Sequence, residues 1–592
     1  TDNICYYDTT TQSVICGDGT TSATNTGNPP KSVVMGAGAT SEGETNVAIG
    51  NSSVTKMTGA VAIGGSAKAL DNQAIAVGLQ AEAAADWDIS IGRQAGFGTV
   101  TPAGEGRNIA IGDGALRYAT APNNNIAMGT STGGRLSGAR NVLLGTYVGN
   151  HNAVQSAMQA LSGKSFDSLT DAEKATYATQ LGVKLDTTSN TYYVATNDTV
   201  ALGHRALATK AADVAIGQQA KATGGTSVAV GNGSYASQGN AVAVGREAKA
   251  MGSNSIAQGT SAYAGASGAI AMGVRSNYQA EVKDGSGVVT TPAGVKTTGA
   301  NSIAIGMDTN ASTNHSVAIG SNATVVSIAG LPAATGSVAL GASSKVTHVN
   351  SVAIGNISEA TGQNTFAGGN DSHAIGKSAV AIGDGAGKGT SGVTGGSYAS
   401  GDDSTAVGAY TKAAGEGSTA LGLSADASAL RAVAVGAASV ASAESSIAIG
   451  DTATANTNTG TIAIGKNSTA SGTSSVAVGT GTVSSNQSSV AVGNKANASN
   501  QNTVAIGESA NAAGSGNVVI GASAGKAHST TAQGSNTVLI GVEAGSQAAN
   551  NEGQVSVGWQ AGQGTLQAFN AAVGHQAGQF VNGTNNVAFG KG

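Results

Sequence analysis

The stretch "DVAIGQQAKATGGTSVAVGNGSYASQGNAVAVG", residues 213–245, writes almost the same four residues three times: Val214-Ala215-Ile216-Gly217, Val228-Ala229-Val230-Gly231 and Val242-Ala243-Val244-Gly245. Successive closing glycines lie 14 residues apart. The same step links Gly36, Gly50, Gly64, Gly78 and Gly92, runs from Gly203 to Gly273, and returns from Gly408 to Gly450; after a slip of one at Gly465 it carries on to Gly521. Self-similarity at a short fixed period marks a solenoid, in which each repeat is one coil that cannot bury its own faces without neighbours.

Within a unit, "SVAVG" alternates with a period of two, so Val228 and Val230 share one face of a strand while Ser227 and Ala229 share the other. The glycine marks a corner where positive φ or close backbone approach excludes a Cβ. A second alternation follows in "REAKAMG" (246–252), where Ala248 and Ala250 flank Lys249. Two short strands and two corners make one flattened coil, and stacking brings equivalent strands about 4.8 Å apart. On this reading Val and Ile lie inside the coil with the alanine methyls, and the Ser-Ala-Gly side is a bare face of small residues. So thin a coil gains from side-by-side association. A period of 14 fits neither the six-residue helix of acyltransferases nor the longer coils of pectin-lyase-like helices.

Composition agrees with a thin solenoid. The 592 residues include 90 glycines, only 3% aromatics and 10% charged residues, with a formal net charge of -5. Apolar content comes largely from alanine, which excludes a thick core, and there is no basic field for nucleic acid. No run of about 18 apolar residues occurs, so no helix inserts directly into a membrane. Cys5 and Cys16 flank a Thr-rich turn in "CYYDTTTQSVIC" (5–16). They read as a disulfide-closed hairpin formed in an oxidising compartment, or else as two buried free thiols; two thiolates alone do not fill a zinc site.

Chemical motifs fail on inspection. "GDGAGKGT" (383–390) approaches a phosphate-binding loop but has Ile382 where the first glycine belongs and Gly389 where Ser or Thr must follow Lys388. "HAIGKSA" (373–379) supplies Gly376-Lys377-Ser378, with Asp371 in the leading position. The seven histidines are scattered over different coils. No catalytic, cofactor-binding or metal-binding residue is assigned, no cofactor is expected, and the reading is not an enzyme.

Units such as "NSIAIGMDTNASTNHSVAIG" (301–320) and "NSVAIGNISEATG" (350–362) closely resemble the head repeats of trimeric autotransporter adhesins, the YadA-like head, over most of residues 31–592. The resemblance implies an all-β fold, a left-handed parallel β-roll (solenoid) of about 14-residue coils, as a homotrimer. It also implies display on the surface of a Gram-negative bacterium, projecting from the outer membrane. The implied role is attachment to host extracellular matrix, other cell-surface ligands or abiotic surfaces, with autoaggregation and no catalysis. A structural spacer, or a phage or surface fibre segment with no ligand of its own, is the alternative.

The pattern divides the chain into an N-terminal cap at 1–30, roll repeats at 31–150, an insertion at 151–198, repeats at 199–276, a second insertion at 277–301 and repeats at 302–592. Repeats around 88–150 and 537–590 take a looser form, "IGRQAGFGT" and "VGWQAGQGT", whose longer steps mean larger corners. In the first insertion "SLTDAEKATYATQLGVKL" (168–185) predicts a helix with a Thr170/Glu173 capping box and Gly182 as terminator, followed by a hairpin. The second predicts a smaller hairpin turning near Asp284-Gly285. Both insertions are expected to project from the roll. Four residues after successive closing glycines stand Leu207, Lys221, Tyr235, Lys249 and Tyr263, an outer column. Of these, Lys221, Tyr235, Lys249 and Tyr263 are the candidate ligand-facing residues.

Overall fold

The computed structural model describes residues 5–10, 12–17, 21–22, 31–100, 106–275, 282–283, 289–291, 299–328, 330, 332–384, 397–526, 534–548, 551–565 and 567–592. It divides into two compact units, Thr1–His315 and Ser316–Gly592.

In the first unit the strands Cys5–Asp8 and Ser13–Cys16 form an antiparallel hairpin in which Cys5 faces Cys16. The two sulfurs are bonded. Ser13–Cys16 then pairs in parallel with Val33–Met35, which starts the roll. From there each coil contributes a three-residue strand to a long wall and most contribute a two-residue strand to a short wall. Val214–Ile216, Val228–Val230 and Val242–Val244 stack in parallel with like residues opposed. Lys221–Ala222, Tyr235–Ala236 and Lys249–Ala250 also stack in parallel on the other side, alanine on alanine with Lys and Tyr alternating. The second unit repeats the scheme, its long wall running from Val317–Ile319 to Val587–Phe589 and its short wall from Thr324–Val325 to Asn511–Ala512. Strand amides bond from coil to coil, as Val228 N–H does to the Ala241 carbonyl at 2.9 Å and Tyr235 N–H to that of Ala248 at 2.8 Å.

The interior reverses the expected facing of the long wall. Ala215, Ala229 and Ala243 point inward to meet Ala222, Ala236 and Ala250, and all six are fully buried. Val228 and Val230 point outward and are half-buried. The reason is thickness: walls this close hold methyl groups, and a branched side chain between them would force the walls apart. Where coils lengthen, the interior enlarges with them. Leu116, Leu136 and Leu143 are buried in the looser coils of the first unit, and Leu539 in those of the second.

Backbone approach fixes the corners. Gly231 has φ +128°, and a Cβ there would lie 2.5 Å from the carbonyl oxygen of Gly245 in the next coil. Two residues on, Gly233 takes the left-handed conformation at φ +66°. Buried polar residues just before the long wall bond along the stack. Asp88 Oδ1 accepts from Asn108 N–H, Asn108 Oδ1 from Asn125 N–H, and Asn125 Oδ1 from Asn141 N–H, at 2.9, 3.1 and 2.9 Å. Burial pushes the Asp88 carboxyl up to about 6 despite these bonds.

The first insertion leaves after Val142–Leu144 and returns at Val200–Leu202, which pair directly, so the wall continues past it. It contains two helices, α1 (His151–Ser162) and α2 (Asp171–Leu181), and a hairpin of Lys184–Asp186 with Thr191–Tyr193. Asn150 caps α1, Thr170 and Glu173 form a reciprocal capping box on α2, and Gly163 and Gly182 end the helices in left-handed conformation. The insertion does not stand away from the roll. Val154, Met158, Leu181 and Tyr192 are buried in one cluster with Leu136, Leu143 and Leu207 of the coils. An apolar helix face must be covered, and Leu207 supplies apolar surface where neighbouring coils carry Lys or Tyr. In the second insertion Val282–Lys283 pairs antiparallel with Val289–Thr291. The expected turn at Asp284-Gly285 lies outside the described residues, as does most of the phosphate-loop-like stretch at 383–390.

Candidate interaction surfaces

The outer column of the first unit is half covered. Lys221 and Tyr235, expected to face a ligand, are only 6% and 2% exposed, because the docked helices lie over them. Gln219 Nε2 donates to Ser156 Oγ of α1 at 3.1 Å, and the Tyr235 hydroxyl is buried near Gln180 of α2. Between α1 and the wall remains a narrow crevice lined by Ala153, Ser156, Ala157, Arg205, Gln219 and Lys221. Lys221 Nζ sits 5.6 Å from the centre of the Tyr235 ring. Burial and the nearby Lys249 charge bring its ammonium down to about 8. Lys249 and Tyr263 stay half-exposed past the edge of the cap.

Sequence reasoning follows the same column into the second unit at Thr454, Thr469, Val483, Asn497 and Asn511 but missed its charged stretch, where the same offset from Gly341, Gly355, Gly369, Gly408 and Gly422 reaches Lys345, Glu359, His373, Lys412 and Asp426. These side chains form ion-paired rungs. Lys345 Nζ lies 3.7 Å from Glu359, Glu359 lies 3.5 Å from His373 Nδ1, His373 Nε2 lies 3.0 Å from Asp371, and Lys412 lies 3.7 Å from Asp426. His373 is 6% exposed. Hydrogen bonding to Glu359 raises its pKa against the effect of burial, with Asp371 adding to the rise.

The third surface is apolar. The first and third residues of each long-wall strand point outward, so two parallel columns, mostly Val, Ile, Leu or Met, form a band along each unit. Several third-position residues are exposed, Ile63 at 37% and Ile354 at 41%, and others are half-buried. No charged residue occupies either column among the described strands. A continuous exposed apolar surface of this kind marks an interaction site. Among the described residues no three His, Cys, Asp or Glu side chains gather to hold a metal ion, and no helix is long and apolar enough to cross a membrane.

A recurrent coil with a mostly alanine-lined interior and Val and Ile on the outer side of its long wall is a repeat-built β-solenoid. The YadA head domain repeat, taken two copies at a time, matches residues 56–81, 197–220, 222–248, 250–276, 298–323, 333–356, 360–386, 399–425, 427–453, 457–482 and 484–510. The chain belongs to the YadA-like head family of trimeric autotransporter adhesins. Heads of this family are trimeric in general and, in general, non-enzymatic. No curated protein matches the chain.

Proposed function

We propose that this chain is the adhesive head of a homotrimeric surface protein of a Gram-negative bacterium, a left-handed roll held out from the outer membrane. The observation that carries the reading is the charge-free band of outward Val and Ile in each unit. Covering a half-exposed Val or Ile contributes on the order of 1 kcal/mol at about 25 cal/mol per Å². Two such residues per coil, over several coils, exceed the roughly 4–15 kcal/mol that association costs. The short wall and the corners then face outward and meet extracellular matrix, cells or abiotic surfaces through many weak contacts, made strong by repetition. In the first unit Lys249 and Tyr263 are the ligand-facing residues; Lys221 and Tyr235 serve beneath the cap.

Solution mass by light scattering together with binding to collagen, fibronectin, laminin and plastic tests this reading. Three copies and binding to at least one surface are expected. A monomer overturns the assembly, and a trimer that binds nothing makes the chain a spacer.

A further inference from the structure

A band built from identical rungs fits a copy of itself well, and that creates a problem of register. Sliding one chain past another by a single coil, about 4.8 Å, sets Val and Ile against Val and Ile again. Every such slip leaves overhanging band at both ends, onto which further chains can add. The band itself shows departures from its own rule. In the third-position column Gln258 replaces the aliphatic residue between Val244 and Met272. It is exposed on the long wall. In the second unit Phe366-Ala367-Gly368 replaces the usual aliphatic-Ala-aliphatic triplet between Val352–Ile354 and Val380–Ile382. The Phe366 ring leans over Gly368, where a Cβ would lie 2.8 Å from it. Thr405 and Thr419, directly paired, put two hydroxyls into the first-position column.

None of these departures is required by the coil. The interior at each is still the usual alanine, Ala257, Ala367, Ala406 or Ala420, fully buried. The backbone pairs in register at each. Their difference from the other coils is expressed only on the outward face.

We infer that Gln258, Phe366, Gly368, Thr405 and Thr419 are register marks that align copies of this chain in the apolar band. The inference rests on the side-by-side trimer proposed above. In register, Gln258 amides from the copies meet one another and satisfy each other's donors and acceptors, as one polar residue does in a coiled-coil seam. The Phe366 rings, each folded over its own Gly368, likewise meet at one level, as do the threonine hydroxyls. Out of register by one coil, each Gln258 is buried against Val or Met with its amide unpaired, and each Phe366 ring meets aliphatic side chains in place of another ring. The aliphatic rungs supply attraction and these five residues supply alignment.

The test is a full-length chain with the band made uniform at these five positions: Gln258→Val, Phe366→Val, Gly368→Ile, Thr405→Val and Thr419→Val together. Each change installs a residue that other coils already carry at that position, and circular dichroism checks that the fold is kept. A spin label on Lys466→Cys, at an exposed corner, reads alignment by pulsed dipolar spectroscopy in the parent and in the uniform variant. The parent is expected to give one mass and one interspin distance. The uniform variant is expected to spread into larger, concentration-dependent masses with additional distances offset by coil steps. A uniform variant with the parent's single mass and single distance overturns the register marks while leaving the trimer standing. A monomeric parent overturns both.

Discussion

At the scale of single residues, position on the long wall decides what a side chain does. Ala229 and Ile216 are neighbouring-coil members of the same wall, one pointing in and one out. Ala229→Leu puts an isobutyl group where only a methyl fits, and is expected to lower stability by about 1–3 kcal/mol in denaturant unfolding. Ile216→Asp leaves the interior untouched, so its expected result is a folded chain, by circular dichroism, with weakened association in light scattering. His373 gives a pH prediction. Its pKa in the fold is raised by Glu359 and Asp371, so its stabilising contribution is complete below about 6.5, the unfolded value, and is lost as pH rises through the folded value. Glu359, lowered by bonding to His373 and Lys345, works in the opposite sense and loses its contribution on acidification below the ordinary carboxylate range. The melting midpoint is therefore expected to fall between pH 6 and pH 8, and His373→Gln to flatten that slope.

At the scale of elements, the insertion is a cap. Its helices bury Leu207, Lys221 and Tyr235 and exchange a side-chain bond with Gln219. Leu207→Asp sets an unpaired carboxylate beneath α1 and α2 and is expected to cost about 2–5 kcal/mol, spent in lifting the cap rather than opening the coils. The measurement is labelling of Lys221 by an amine-reactive reagent, faster in the variant at pH 7.5 while the β signal in circular dichroism persists. The local grammar of this cap was legible: Thr170, Glu173 and Gly182 act where they were predicted to act. Its first helix was not read, although Asn150, the run Ala153, Val154, Ala157, Met158 and the stop at Gly163 carry the signal. Its direction was unreadable for a different reason. Whether an insertion projects or lies down depends on the apolar area of both partners, and in the sequence Leu207 is only one member of an outer column.

At the scale of the whole molecule, the 14-residue period was fully legible because the same corner chemistry recurs in coil after coil, while the facing of the wall was not. Alternation shows that Val228 and Ala229 point to opposite faces, yet it is blind to which side is inside, and that is settled by the wall spacing, a property of the closed coil. Periodicity also makes a prediction about length. Each coil contacts chiefly the coils before and after it, so stability is close to a sum of like terms. Deleting residues 423–436, one whole coil of the second unit, joins Gly422 to Ala437 and brings Ile447–Ile449 onto Thr419–Leu421, aliphatic onto threonine and leucine with Ala448 over Ala420. Lys412 loses Asp426, an exposed pair of little weight. This chain is expected to fold, assemble and melt cooperatively close to the parent. Deleting only residues 423–429, half as much chain, places a long-wall strand where a short-wall strand must run and interrupts the ladder at that level. Its melt is expected to broaden and move down sharply although fewer residues are missing. If the shorter deletion proved the milder one in a thermal scan, coil-by-coil pairing would not be what holds the roll together.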